Sequence, residues 1–244
     1  MPDKRRHRGA HPDDARLFAP DALETLRRAV QDYSWLLSNG YAAKSALKLV
    51  GDRFLLTQRQ RMAVMRSSCG DEDLSRRTSK QISREALASK VLLLDGYNVL
   101  TTVEAALAGG VILIGRDGCY RDIAGLHGTY RRVEETLPAI ELTGRCLSMF
   151  HVEQCWWYLD RPVSNSGRLK ALLLAMAKKE KWNWEVKLVY SPDGVLVRAE
   201  ETAATSDSEI LNRSQTWFNL AREVIDQHVP EAWLIDLGKI NVNE

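Results

Sequence analysis

The sequence predicts an α/β protein: a mostly parallel sheet flanked by helices, with an N-terminal all-α domain ahead of it. Three observations carry that expectation. From Val91 onward, short apolar runs that stop at turn residues alternate with helical periodicity, the pattern of a parallel sheet covered on both faces. Between Asp21 and Ser68, apolar residues recur instead at three- and four-residue spacing, with no strand-like run among them. The charge divides at the same place: residues 1–90 hold 18 Lys and Arg against 11 Asp and Glu, and residues 91–244 hold 16 against 21. A basic half beside an acidic one suits a protein that meets a polyanion with one part and binds metal through carboxylates with the other.

With 244 residues and 45% hydrophobic content, the chain can bury one large core or two modest ones. No apolar run reaches the length of a membrane span. The opening MPDKRRHRGAHPDD has no apolar stretch of the kind a secretory signal needs, so a cytoplasmic protein is expected. Cys69, Cys119, Cys146 and Cys155 are far apart and form neither a CxxC pair nor a set with regular His spacing. Reduced thiols in or near the core are therefore expected, rather than a zinc ribbon or a disulfide framework.

Residues 1–19 are polar and basic and contain Pro2, Gly9 and Pro12, which makes them a mobile arm with Lys4, Arg5, Arg6 and Arg8 open to phosphates or solvent. A helix from Asp21 repeats Ala22, Leu23, Leu26, Ala29, Val30, Tyr33, Leu36 and Leu37, and ends at Asn39-Gly40. A shorter helix spans Ala42 to Val50. A third, Thr57 to Ser68, begins at a good N-cap and sets Arg59, Arg61 and Arg66 among Met62, Val64 and Met65. Three helices with a basic last one have the layout of a helix-turn-helix module, which makes those arginines nucleic-acid contacts; a solvated basic face is the plain alternative. Residues 20–75 are taken as this helical domain, the polar 76–89 as a linker, and 90–244 as the α/β domain.

In the second half, Val91 to Leu94 is a buried-strand run stopped by Asp95-Gly96. Helix is expected from Thr101 to Ala108, strand from Val111 to Ile114, and helix again from Tyr120 to Leu137, interrupted by Gly125 and Gly128. His151 to Asp160 is an aromatic-rich strand ending in an acid. Ser164 to Ser166 suit the cap of a helix lined by Leu169, Leu172, Leu173 and Met176. Trp184, Val186 and Leu188 alternate with charged residues in a half-buried strand that runs into Ser191-Pro192-Asp193-Gly194. Ala203 to Asp207 leads into a helix bearing Ile210, Leu211, Trp217, Leu220, Ala221 and Val224, and Trp233 to Leu237 closes the chain as an edge strand.

Asp95, Asp160, Asp193 and Asp207 thus each follow an expected strand. Asp95 by itself is equally well explained as a helix cap. As a set, the four converge on one rim if their strands are parallel neighbours, and that rim is where α/β sheets bind ligands. Like charges so placed raise one another's pKa values unless a cation lies among them. Mg²⁺ or Mn²⁺ suits such hard oxygen donors, and the chemistry that follows is metal-dependent hydrolysis of a phosphodiester.

LLLDGYNVL resembles the opening of the PIN-like nucleases, particularly their NYN branch. YLDRPVSNSG is similar to that branch's second strand-end Asp, KLVYSPDGVL to the strand leading to its third acidic position, and ATSDSEI to its late Thr-Ser-Asp element. The resemblance implies a PIN-like fold and a nuclease acting on RNA rather than DNA. It also implies Asp95, Asp160, Asp193 and Asp207 as catalytic and metal-binding acids, with Asn98 and Ser206 as polar support. From DYSWLLSNGY through ALKLVGDRF and RQRMAVMRSSC into this half, the chain further resembles an uncharacterised two-domain prokaryotic family over most of residues 20–230.

The resemblance is not uniform. Asp193 lies in a Ser-Pro-Asp-Gly turn where the family's third acid opens a helix, which leaves Glu200 and Glu201 as alternatives. In GRDGCYRDIAGLHGTYRR, Asp117 and Asp122 are candidates to join the acids, and Arg116, Arg121, Arg131 and Arg132 to hold phosphates. His127 is a candidate proton relay or a structural residue. LLLDGYNVL is also similar to the nucleophile strand of haloacid-dehalogenase-like phosphatases, but the second Asp which that chemistry needs is Tyr97 here. A non-catalytic RNA-binding protein on the same scaffold is the stronger rival. Tyr97, Tyr120, Trp156, Trp157, Trp182 and Trp184 are placed either to stack on bases or to fill the core. A homo-oligomer is left open.

Overall fold

The protein is described by a computed structural model over residues 7–123 and 130–239. Its N-terminal part is helical: α1 (Asp14–Leu17), α2 (Pro20–Ser38), α3 (Ala43–Arg53), α4 (Gln58–Ser67) and α5 (Asp71–Lys80). The apolar repeat of α2 faces inward as its spacing predicts, with Leu26, Ala29, Val30, Tyr33 and Leu36 buried. A capping box starts α4, the Thr57 hydroxyl accepting from the Gln60 amide while the Gln60 side chain accepts from the Thr57 amide.

Five parallel strands form the main sheet: β1 (Val91–Asp95), β4 (Gln154–Asp160), β5 (Trp184–Val189), β6 (Thr202–Ala204) and β7 (Trp217–Phe218), in the order β5-β4-β1-β6-β7. A second sheet, β3-β2-β8, pairs β2 (Val111–Ile114) with β3 (Tyr120–Asp122) antiparallel and with β8 (Trp233–Asp236) parallel. Helices α6 (Gly96–Leu107), α7 (Thr136–Met149), α8 (Ser166–Glu180) and α11 (Leu220–His228) cover one face of the main sheet. The opposite face carries the short α9 (Pro192–Leu196) and α10 (Ser208–Arg213).

Side-chain alternation in β1 explains both layers. Leu92 and Leu94 enter the large core with Trp157 and Leu159, whereas Leu93 packs with Tyr158, Leu196, Ala203 and Ile210 on the other side. Alternation in β2 does the same for the second sheet. Val111 and Leu113 join Leu26, Val30 and Val64 of the N-terminal helices, while Ile112 belongs to the core of the α/β half. The helical part and the α/β part therefore share buried surface through β2 and β8.

Several expected boundaries change. The arm is anchored over its described residues: Phe18 is buried, and the Arg8 guanidinium pairs with the buried Glu104 and lies 5.1 Å from the Tyr130 ring centre. Residues 76–89 are packed rather than a linker. Arg77 and Leu87 are buried, the Ile82 amide donates to the Trp217 carbonyl at 3.0 Å, and the Trp217 indole donates to the Arg77 carbonyl at 2.8 Å. Tyr120–Asp122 is a strand, not the start of a helix, because pairing with β2 buries it and Asp117 neutralises Arg121 there. Trp217–Phe218 divides the expected C-terminal helix in two by pairing with β6. The four cysteines are free and buried, as expected. No helix among the described residues is long and apolar enough to cross a membrane.

Candidate active site at the carboxyl end of the sheet

The order of the main sheet places a topological switch at its centre. From β1 the chain moves outward to β4 and β5, then returns to the other side of β1 for β6 and β7. In open parallel sheets the crevice beyond the carboxyl ends at such a reversal is where ligands bind. Asp95 ends β1, and Thr205, Ser206 and Asp207 follow β6, so both sides of the reversal carry polar side chains.

Asp95 stands at the N-cap position of α6 but makes no capping hydrogen bond. The Asn98 amide in the first turn of α6 nonetheless favours the charged form of Asp95, so a capping role stands beside its contact with the loop after β6. Asp95 Oδ2 accepts from the Thr205 hydroxyl at 2.9 Å, and Thr205 Oγ1 accepts in turn from the Asp207 amide at 3.0 Å. Asn98 Oδ1 accepts from both the Ser206 amide, at 2.8 Å, and the Ser206 hydroxyl, at 3.0 Å. These bonds tie the start of α6 to the loop after β6. Asp207 itself caps α10, Oδ1 accepting from the Glu209 and Ile210 amides.

Asp160 ends β4. Tyr158 is the register partner of Asp95, and Asp160, two residues on, lies on the same sheet face one step further out. Asp193 lies in the first turn of α9, where the Ser191 hydroxyl accepts from the Gly194 amide as the cap. The Ser-Pro-Asp-Gly turn therefore does open a helix. Burial pushes the Asp95 carboxyl up to about 7; the Thr205 hydrogen bond opposes the shift, and the charges of Asp207 and Asp193 add to it. Asp193 is raised by burial and then by Asp207, and Asp160 by burial and then by Asp193. The four acids thus lie within electrostatic reach of one another in a chain. Neither Glu200 nor Glu201 is among the principal causes of the Asp95 shift, and the charge of Glu201 raises Tyr158 after burial does.

Of the four, Asp95 is buried, Asp160 and Asp207 are half-buried and Asp193 is exposed. The other buried acid side chains among the described residues differ from Asp95 in one respect: each has an arginine. Asp14 pairs with Arg59, Glu104 with Arg8, Asp117 with Arg77 and Arg121, and Asp122 with Arg66. Asp117 and Asp122, candidates to join the acidic set, are accounted for by those pairs. Among the described residues no ion pair involves Asp95, Asp160, Asp193 or Asp207. The Tyr97 hydroxyl, which feels the charge of Asp160, is buried with no hydrogen-bond partner among them either. No three acidic, His or Cys side chains among the described residues are grouped closely enough to hold a metal ion by themselves.

The arginines expected to contact nucleic acid are largely committed within the protein. Arg59 grips Asp14, with one bond at 2.7 Å. Arg61 bonds the Leu56 and Lys48 carbonyls and Asp52, and Arg66 the Asp122 carbonyl. Arg116 donates to the Cys69 carbonyl and to Asp71. Arg121 is buried, donating to both Asp117 oxygens and, at 2.8 Å, to the Ser206 carbonyl. It supports the loop that carries Asp207 instead of holding phosphate. Arg131 and Arg132 are exposed, and His127 lies outside the described residues.

Of the aromatic candidates, Tyr97, Tyr120, Trp157 and Trp184 are buried, and Trp182 stacks on Trp184 at 4.6 Å. Lys187 covers Trp156, its Nζ 3.6 Å from the ring centre. Sequence reasoning missed Thr205, whose position next to Ser206 and Asp207 was the available signal. It also missed Tyr190, exposed at the end of β5.

Fold and rim together define a class: a helix-flanked parallel α/β protein with acidic side chains at the carboxyl ends of its strands. The chain belongs to the family described as a domain of unknown function, DUF5616, whose model matches residues 84–223, more than half of its length. Residues 25–80 match a second family, described as a protein of unknown function, DUF434. A curated relative, the uncharacterized protein MJ0935 of Methanocaldococcus jannaschii, is 29% identical over 187 residues, covering 77% of this chain and 89% of that protein. No solved structure matches.

Proposed function

We propose that the protein is a Mg²⁺- or Mn²⁺-dependent nuclease that hydrolyses phosphodiester bonds of RNA at the acidic rim, on a PIN-like scaffold. One observation carries this reading: among the described residues the buried Asp95 and its neighbours, the half-buried Asp160 and Asp207 and the exposed Asp193, form no ion pair, whereas the other buried acids named above each have an arginine. A buried carboxylate without a paired cation is destabilising, the more so with other carboxylates near it, and such groups recur at functional sites where a bound cation compensates.

The donor set suits one kind of ion. With one Asp95 oxygen on Thr205 and one Asp207 oxygen on the α10 amides, Oδ1 of Asp95 and Oδ2 of Asp207 are the oxygens left over. An ion held through one or two carboxylates and its own waters is the usual state of Mg²⁺, and it requires no closed cage of three protein ligands. Asp95 and Asp207 would hold it, with Asp193 and Asp160 adding negative potential toward the β5 side. The ion would supply an activated water and charge stabilisation at phosphorus. The protein's own part is orientation: Thr205 fixes Asp95, Asn98 and Arg121 fix Ser206, and the backbone of α10 fixes Asp207.

The rival reading, RNA binding without cleavage, is favoured by the lack of any ready three-ligand group among the described residues. Incubating the full chain with a mixed RNA pool across a Mg²⁺ and Mn²⁺ titration separates the two. Metal-dependent cleavage that falls at least ~100-fold in Asp95→Asn is expected, since loss of a principal electrostatic group costs about that much. Binding without cleavage, equal in wild type and Asp95→Asn, would sink the nuclease reading.

A further inference from the structure

Next to the acidic rim lies a side-chain pair that neither the fold nor the acids account for. Tyr190 follows the last residue of β5 and is 74% exposed. Among the described residues, the other exposed aromatics, Trp35 and Tyr41, belong to the N-terminal helical part, so Tyr190 is the one that the α/β half presents. The Arg161 guanidinium lies 5.2 Å from its ring centre. The Arg161 amide donates to the Val189 carbonyl at 2.7 Å, which holds the two chain segments together. Arg161 is itself exposed and forms no ion pair among the described residues, in contrast to the committed arginines of the N-terminal part.

Position gives the pair its meaning. Arg161 directly follows Asp160, and Tyr190 precedes Ser191, the cap of the helix whose first turn holds Asp193. An exposed ring and an unpaired guanidinium are thus fixed at the carboxyl end of the sheet, each within three residues of one of the acids. An exposed aromatic ring gains by stacking on an unpaired nucleobase, and a neighbouring guanidinium attracts the phosphate attached to it. A base within a duplex is not available for such stacking, since it must first leave its neighbours.

We infer that Tyr190 and Arg161 form a nucleotide subsite for single-stranded nucleic acid, the base stacking on Tyr190 and the phosphate meeting Arg161, beside the acids that act on the chain. This rests on the proposed nuclease reading for the identity of the substrate, but its test does not depend on cleavage. The probe is a fluorescein-labelled 12-nucleotide single-stranded RNA, titrated with the full chain by anisotropy without divalent cations, alongside a 12-base-pair RNA duplex.

Tyr190→Ala is expected to weaken single-strand binding about ten-fold, the usual loss of one stacked base, while Tyr190→Phe keeps it and duplex binding is unchanged. Arg161→Ala is expected to lower the salt dependence by about one phosphate contact. Equal single-strand affinity of wild type and Tyr190→Ala, or no single-strand binding by wild type, would overturn the subsite. Failure of the two readings is separable. Metal-dependent cleavage with a KM unchanged in Tyr190→Ala removes the subsite and keeps the nuclease, whereas Tyr190-dependent binding without cleavage at any metal concentration does the reverse.

Discussion

At the scale of single residues, the protein treats its buried acids in two ways. Asp117 is held below the ordinary carboxylate range because Arg121 and Arg77 outweigh its burial, whereas Asp95 is raised to about 7 by burial with Asp207 and Asp193 adding to it. The two have opposite effects on stability. Asp117 stabilises the fold above about pH 4, and that contribution is lost in acid. Asp95 keeps a proton that the unfolded chain gives up, so its contribution is full below about pH 4 and is lost as pH rises to about 7. In metal-free buffer, urea unfolding should therefore show wild type losing stability relative to Asp95→Asn between pH 4 and pH 8, by on the order of 4 kcal/mol. A constant difference between the two across that range would contradict the burial and crowding assigned to Asp95. The acids themselves were legible in sequence, because Asp95 and Asp160 end apolar runs and Asp193 and Asp207 follow them within a few residues. Whether each was neutralised was not, since Arg77 and Asp117, or Arg8 and Glu104, meet only through the tertiary fold.

At the scale of elements, the β1–α6 junction decides the geometry of the rim. Gly96 reads as a turn residue in sequence, but its role is close packing. A Cβ there would lie 2.5 Å from Leu159 Cδ2 and 2.9 Å from the Tyr158 carbonyl oxygen of β4. Backbone on one side leaves little room to yield, so Gly96→Ala should push β4 from β1 and cost about 1–3 kcal/mol in chemical denaturation. An unchanged midpoint would mean that β4 gives way freely and that the junction does not set the spacing of Asp95 and Asp160. Strands rich in apolar residues were recognisable one by one: β1, β4 and β5 lie where their patterns place them. Short elements were not. The residues of β3 include Arg121 and Asp122, charges that argue for solvent unless Asp117 and Arg66 are known to face them, and β7 has two residues, too few for any periodicity.

At the scale of the whole molecule, the division into a basic helical part and an acidic α/β part is visible in the charge count, but the basicity has another use than the one expected. Arg59, Arg61, Arg66 and Arg77 all bond within the protein, and β2 and β8 carry apolar side chains into the core of the N-terminal helices. The helical part thus supports the α/β half: Asp117 bridges Arg77 of α5 to Arg121, which holds the Ser206 carbonyl beside Asp207. Charge segregation could not reveal this, because a count does not distinguish a solvated arginine from a buried one. Among the described residues, the carboxylates beyond the ends of β1 and β6 are the group near a buried acid that forms no ion pair. The most direct test is Mn²⁺ binding to the full chain, followed by isothermal titration or by the loss of free-ion paramagnetic resonance. Wild type should bind Mn²⁺ at pH 8, with affinity falling at least about ten-fold in both Asp95→Asn and Asp207→Asn, since each removes a carboxylate ligand. No binding by wild type, or equal binding by both variants, would contradict the claim that the strand-end acids form a metal site.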